Sequence, residues 1–316
     1  MRDGNAGGGY LPLLTAAGRP AARLRLHWAL LMPAGPFRLS VCNELFQGAD
    51  FALSCRQIKE AGWDGIEIAP FTLRQNATEL PPERRREVRE IIAGEGLDFV
   101  GLHWLTVGPQ GLHVTTPDDE VRRRSWEYVA GLAELCADLR PAGRESGGVM
   151  VFGSPNQRRT VEGDSPQDAV KRFTHGVRSI VPRLEQRGVT LLVEALPAAQ
   201  CDVIQTLDEA AAVVAAVGSP NVQSMFDSHN AIDERESHGE LVARHWPIIR
   251  HIHVNELDGS HPRSAGGYDF KPVLQVAKDR RFDGWVSMEV FDFAPGAKKM
   301  LQESLAHLRQ QIAQLS

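Results

Sequence analysis

Four polar residues close four successive apolar runs in the C-terminal half of the chain: Glu194 in LLVEALP, Asp227 in SMFDSHN, His253 in HIHVNE and Glu289 in VSMEVFD. If these runs are strands, side chains alternate between the two faces. Leu192 and Glu194, Met225 and Asp227, His251 and His253, and Ser287 and Glu289 then share one face each. Three carboxylates meeting in a confined apolar space repel one another and raise one another's pKa values. A divalent cation removes that cost. Three oxygens and one imidazole nitrogen form a hard donor set that suits Mn²⁺, Mg²⁺ or Co²⁺ better than a thiolate-rich structural zinc. The expectation is one divalent cation, Mn²⁺ first, with Zn²⁺ also admissible. Any one of these residues alone reads as a hydrogen-bonded structural acid or a core histidine; four in a row read as a metal centre.

That convergence needs a particular architecture. From Phe37 onward, short apolar runs recur as candidate strands: Phe37 to Asn43, Gly65 to Phe71, Asp98 to Leu105, Gly147 to Pro155, Val189 to Pro197, Val222 to Asn230, the opening of IRHIHVNE, and Gly284 to Asp292. Amphipathic stretches such as SCRQIKEAG, PERRREVREIIAGEG and QDAVKRFTHGVRSIVPRLEQRG lie between them, several closing on a C-cap glycine (Gly62, Gly96, Gly188). Strand–helix alternation points to βαβ units and a parallel sheet. Eight repeats favour a closed (β/α)8 TIM barrel, and the segment after the first strand, VCNELFQGAD, lacks the G-x-G-x-x-G of a dinucleotide-binding open sheet. Chemistry in such a barrel sits at the C-terminal ends of the strands, which adds Glu67 and His103 to the candidates.

Composition narrows the partners. The net charge of −5 offers no basic face for nucleic acid. No apolar run approaches the roughly 18 residues that a membrane helix needs. Four cysteines without a CxxC pair suit a reduced, cytoplasmic setting rather than a disulfide scaffold. Residues 37–316 are expected to form one barrel domain. Residues 1–36, rich in Gly, Ala and Pro, read as a poorly ordered extension, with Met32 as an alternative start.

The stretches LLVEALPAAQCDVIQTLDEA, MFDSHNA, HIHVNELDG followed by GGYDF, and FDGWVSMEVFD resemble the sugar phosphate isomerase/epimerase superfamily with its xylose-isomerase-like barrel, nearest to the ketose 3-epimerases and hydroxypyruvate isomerases. The resemblance covers about residues 37 to 313, with four motifs in the same order. It implies that Glu194, Asp227, His253 and Glu289 are the metal ligands and that Glu194 and Glu289 double as the acid–base pair. It also implies a small carbohydrate substrate and a homo-oligomer as one possible assembly. The residue types suit that chemistry in their own right. A cation chelated by two adjacent oxygens of an α-hydroxy ketone stabilises the enediolate formed on proton loss, and two carboxylates can remove a proton from one face and return it to the other. The expected activity is therefore a metal-dependent isomerase or epimerase of a keto sugar or sugar derivative. His251, one layer deeper, is expected to orient the ligands.

Three positions depart from the epimerase pattern. Gln200 stands where an acid is expected, Asn230 stands where a histidine is expected, with His229 one place early, and Gly259 stands where an arginine is expected. The proton-handling centre is kept while the substrate collar is rewritten. Candidates for a new collar are Gln200, His229, His103 as a hydrogen-bonding group, Trp104 as a stacking wall, Glu67 as a hydroxyl holder or a lumen brace, Arg158 and Arg159 as anion holders or a solvated loop, and Arg263 as a substitute arginine. The main alternative is a dehydratase of the inosose or dehydroshikimate type, which shares the first half-reaction. An apurinic endonuclease lacks support, because Asn230 and the Asp269–Lys271 segment miss the extra zinc histidines, and a non-catalytic sugar-binding barrel sits poorly with two retained glutamates.

Overall fold

The structure, a computed structural model, describes residues 35–141, 148–265 and 267–316. Pro36–Ser316 forms one compact unit. The expected N-terminal extension lies, for residues 1–34, outside the described residues. Eight parallel strands close into a barrel in chain order, β1 pairing with both β2 and β8. The strands are β1 (Arg38–Cys42), β2 (Gly65–Ile68), β3 (Asp98–Leu102), β4 (Val149–Phe152), β5 (Thr190–Val193), β6 (Val222–Asp227), β7 (Ile249–Val254) and β8 (Trp285–Met288). Each is followed by a helix: α1 (Phe51–Ala61), α2 (Pro82–Gly94), α3 (Asp119–Leu139), α4 (Pro166–Arg187), α5 (Leu207–Val217), α6 (His238–His245), α7 (Lys271–Asp279) and α8 (Ala297–Ile312). The expected (β/α)8 barrel is the observed fold.

Local chemistry starts and stops these helices where the topology needs it. Asp50, Asp118, Ser165, Thr206 and Ser237 accept hydrogen bonds from first-turn amides of α1, α3, α4, α5 and α6. Gly62, Gly188 and Gly218 close α1, α4 and α5 in the left-handed conformation. The strands are shorter than the apolar runs that announced them. The surplus apolar residues, such as Pro70, Leu105 and Leu196, are buried in the loops at the barrel mouth, because a loop that walls a cavity needs apolar side chains as much as a strand does.

The lumen is divided. Val151, Leu192 and Met225, from β4, β5 and β6, pack together on one side. Cys42, Glu67, His103, His251 and His253, from β1, β2, the end of β3 and β7, form a fully buried polar side. Ser40 and Ser287 hydrogen bond through their hydroxyls where β1 meets β8.

Arg158 joins β4 to β5. Its side chain is fully buried and Nη1 donates to the carbonyls of Phe152 (3.0 Å) and Glu194 (2.7 Å). The reading of Arg158 as a solvated loop residue or anion holder is thereby corrected: its guanidinium satisfies two strand-end carbonyls. Arg158→Met, which keeps the bulk and removes the donors, should cost roughly 2–4 kcal/mol, since two buried acceptors lose a charged donor; urea unfolding would measure it, and a change under 0.5 kcal/mol would count against the clamp.

Candidate metal centre and pocket

Glu194 follows the last residue of β5, Asp227 ends β6, His253 lies one residue before the end of β7, and Glu289 follows the last residue of β8. Their ligand atoms all lie within 4.8 Å of one another and all four residues are buried. The pleat that aims them inward also aims Leu192, Met225, His251 and Ser287 inward one layer below.

Each of these four side chains has a further partner behind it. Asn230 Nδ2 donates to Glu194 Oε1 at 2.9 Å. Asp227 accepts from the Asn230 amide (2.7 Å) on Oδ1 and from Asn255 Nδ2 (3.2 Å) on Oδ2. The Trp104 indole donates to Glu289 Oε1 at 2.7 Å. His253 turns Nδ1 toward Glu289 Oε2 (3.1 Å) and Asp227 Oδ2 (3.7 Å), and Nε2 toward Glu67 Oε1 (3.2 Å). Glu67 is gripped from the other side by His251 Nε2 at 2.8 Å. With Nε2–H given to Glu67, the Nδ1 lone pair faces the carboxylates, which is the tautomer that a metal-ligating histidine needs.

The electrostatics fit a missing positive charge. Burial, then Glu289 and Asp227, push Glu194 up to about 8, and burial together with Glu289 pushes Asp227 up to about 6. Burial works against ionisation of Glu289 as well, yet His253 holds it below the ordinary carboxylate range. His253 in turn is raised well above the usual imidazole value, its burial being outweighed by Glu67 and Glu289. The donor set and its charge deficit fit a divalent cation held by Glu194, Asp227, His253 and Glu289.

Two glycines make room. A Cβ on Gly153, just after β4, would lie 2.2 Å from Glu194 Oε2. Gly259 has φ +77, and a Cβ there would meet Phe291 Cδ2 at 2.8 Å and lie 3.6 Å from His229 Cε1. The place of the expected arginine is thus walled by the Phe291 ring. Phe291 stacks on Trp104 with centroids 6.0 Å apart and planes at 20°, and Trp104 itself holds φ 51, a left-handed backbone that bulky residues seldom adopt.

These residues open onto a cavity of about 490 Å³ lined by Trp104, Glu194, Gln200, His229, Asn230 and Glu289 among others. Gln200 Nε2 faces His229 Nε2 at 3.1 Å and Asn230 Oδ1 at 3.3 Å, and His229 Nδ1 donates to the Leu257 carbonyl at 2.7 Å. Glu67 and His103 lie outside this lining, fully buried beneath it. His103 Nε2 bonds Glu44 Oε2 at 2.7 Å and Nδ1 is 3.7 Å from Glu67 Oε1. Arg263 is also outside the lining, its guanidinium on Ser260 Oγ and the His261 carbonyl. Arg159 lines the cavity with Nη2 on the Gln200 carbonyl (2.6 Å).

Sequence reasoning passed over Glu44, Gly153, Asn255 and Phe291 as site residues. Asn255 stood in the HIHVNE run, two residues past His253, and its even spacing was the available signal. Gly153 had none, because only the approach of β5 reveals its role. Beyond β7, Glu256 accepts the Arg263 and Tyr268 amides, both at 3.1 Å.

A family model described as the xylose isomerase-like TIM barrel matches residues 55–311, and the chain belongs to that family. The D-psicose 3-epimerase of Agrobacterium fabrum is 28% identical over 120 residues, a match spanning 38% of this chain and 41% of that enzyme. The probable ketose 3-epimerase of Synechocystis is 25% identical over 273 residues, 80% of this chain and 88% of the relative. The crystal structure of the 3-keto-D-glucoside 4-epimerase of Escherichia coli superposes with a TM-score of 0.73 at 19% identity, covering 87% of this chain and 99% of that one.

Two outcomes follow from the charge balance and the crowding. In metal-free protein, Glu194 and Asp227 have folded pKa values above their unfolded ones, so the native state binds extra protons between about pH 4 and the value near 8 for Glu194. Stability should therefore fall as pH rises through that window, and adding Mn²⁺ should raise the melting temperature more at pH 8 than at pH 5; scanning calorimetry with and without chelator tests this, an equal metal effect at both pH values contradicting it. Gly153→Ala should displace the Glu194 carboxylate and weaken Mn²⁺ binding at least ten-fold while the metal-free protein still folds. Titration calorimetry and circular dichroism would separate the two effects.

Proposed function

We propose that this member of the xylose isomerase-like TIM barrel family is a divalent-metal-dependent epimerase or isomerase of a keto sugar, with Glu194 and Glu289 as its proton-transfer pair and Mn²⁺ the first choice of cation. The observation that carries the reading is the pair itself. Glu194 and Glu289 stand on β5 and β8, flanking the β6 and β7 ligands, and both line the cavity. Each has one oxygen tied by a neutral donor, Asn230 or Trp104, and their surroundings push their proton affinities in opposite directions. Paired carboxyl groups held apart in this way suit acid and base roles. The sugar epimerase relatives agree with it.

Glu194, Asp227, His253 and Glu289 would hold a divalent cation, which would supply positive charge to stabilise the enediolate that forms when a proton leaves. The chain's own residues handle that proton. One glutamate takes it from the carbon on one face of the sugar, and the other returns a proton to the opposite face; reversal of the reaction exchanges the roles. Asn230 and Trp104 each hold one carboxylate oxygen and so fix the orientation of the two glutamates. The buried Glu67–His251 pair fixes the His253 ring beneath the substrate, and Trp104 and Phe291 cover the cavity from the side, limiting water.

The test is a keto-sugar panel in D₂O with Mn²⁺, read by NMR and mass spectrometry. Solvent deuterium should enter the carbon next to the carbonyl, and Glu289→Gln should lower turnover by about 10²–10⁴-fold. Loss of water would move the assignment to a dehydratase. Turnover with the carbon-bound hydrogen wholly retained, and unaffected by Glu289→Gln, would falsify it.

A further inference from the structure

The outer half of the cavity is not needed for proton transfer, and its chemistry discriminates between sugar derivatives. We infer that the substrate is a keto sugar carrying an uncharged apolar or aromatic group, that is, a keto-glycoside with an aryl-type aglycone, rather than a phosphorylated or carboxylated keto sugar. The inference rests on the proposed reading for the reactive end of the molecule and on the following observations for the other end.

The first observation is charge. An anionic substituent at the outer end of the cavity would meet Asp258, the carboxylate of the lining that is not among the four proposed cation ligands. Its lining offers one arginine, Arg159, which is exposed and has Nη2 committed to the Gln200 carbonyl. His229 gives its Nδ1 to the Leu257 carbonyl and faces Gln200 with Nε2. Arg158 is turned inward onto the Phe152 and Glu194 carbonyls, and Arg263 stays on Ser260 and His261 outside the lining. Tight phosphate or carboxylate recognition calls for a paired, bidentate donor set, and the cavity has none.

The second observation is shape and polarity. Trp104 and Phe291 form a stacked aromatic wall, continued by His229, whose ring centroid lies 5.2 Å from that of Phe291. Gly259, held at φ +77 against Phe291, puts no side chain between the ring and His229. Val107 and Leu196 add apolar lining. The cavity's roughly 490 Å³ lies within the range of about 300–1,000 Å³ that suits ligands of drug size.

The third is the rim. Among the described residues, three large hydrophobic side chains are exposed, and two of them, Ile232 (48%) and Leu257 (39%), flank His229. Backbone bonds tie them to it: the Ile232 amide donates to the His229 carbonyl, and the Leu257 carbonyl accepts from His229 Nδ1. Their backbones are thus fixed beside His229, a residue of the cavity lining, and apolar side chains left in water gain by covering an apolar substituent.

The experiment compares binding and exchange on Mn²⁺-loaded protein. Titration calorimetry with phenyl β-D-glucoside, methyl β-D-glucoside and glucose 6-phosphate, none of which can react by proton loss beside a ketone, should show the phenyl glucoside at least ten-fold tighter than either of the others. The double variant Ile232→Ser/Leu257→Ser should bring the phenyl compound down to the methyl level. Equal affinities for phenyl and methyl glucosides, preference for the phosphate, or no measurable binding of the phenyl compound up to about 10 mM would overturn the inference. Deuterium exchange into the 3-keto derivatives of the phenyl and methyl glucosides and into a free ketohexose keeps the two claims apart. Phenyl preference in binding with no exchange on any ketone sinks the epimerase reading and leaves the pocket assignment standing. Exchange on the free ketohexose with no phenyl preference sinks the pocket assignment alone.

Discussion

The burial of three carboxylates around one imidazole is the constraint to which the rest of the barrel mouth answers. Carboxylates removed from water and set within 4.8 Å of one another are unstable as anions, so the fold supplies each with a donor. Asn230, Asn255 and the Trp104 indole hold Glu194, Asp227 and Glu289 in turn. These donors are neutral, so they orient the acids without cancelling their charge. That leaves the demand for a cation in place, which a lysine or arginine at the same positions would have removed.

The histidine side of the site shows the same logic carried one layer down. His253 needs its ring fixed and its lone pair aimed, and Glu67, itself gripped by His251, does this from beneath. The price is a polar column through half the lumen, with His103 bonded to Glu44 and the Cys42 thiol, pushed up to about 12 mainly by burial, left as an inert filler. The opposite half, built on Val151, Leu192 and Met225, is apolar and close-packed. A uniformly polar lumen would lack a core, and a uniformly apolar one would have nothing to anchor His253. Splitting the lumen by strand, polar on β1–β3 and β7 and apolar on β4–β6, provides both.

Around this centre the collar residues lie in the loops beyond the strand ends. Gln200, Asn230 and Gly259 stand where the resemblance leads one to expect an acid, a histidine and an arginine, and in the structure the three belong to one connected arrangement. Asn230 turns to Glu194, Gln200 bonds both Asn230 and His229, and Gly259 leaves its place to Phe291 and the Trp104 stack. The collar is partly hydrogen-bonding and partly aromatic.

What the sequence by itself determined were the features that depend on nearest neighbours along the chain. Short apolar runs marked the eight strands, capping residues and glycines marked the helix ends, and the parity of Glu194, Asp227, His253 and Glu289 placed them on one face, because a pleated strand leaves its side chains no other choice. Tertiary structure decided what depends on partners far apart in the chain. Arg158 reads as a surface arginine until β5 comes beside it and offers the Glu194 carbonyl. Gly153 reads as an ordinary loop glycine until the Glu194 carboxylate fills the space where a Cβ would be. Glu67, a plausible hydroxyl holder from its strand-end position, becomes a brace because closure of the barrel brings β7 and its two histidines across the lumen. The physical reason is common to all three: alternation and capping are set by dihedral angles of adjacent residues, whereas a hydrogen bond or a close approach across the barrel exists only once the sheet has closed.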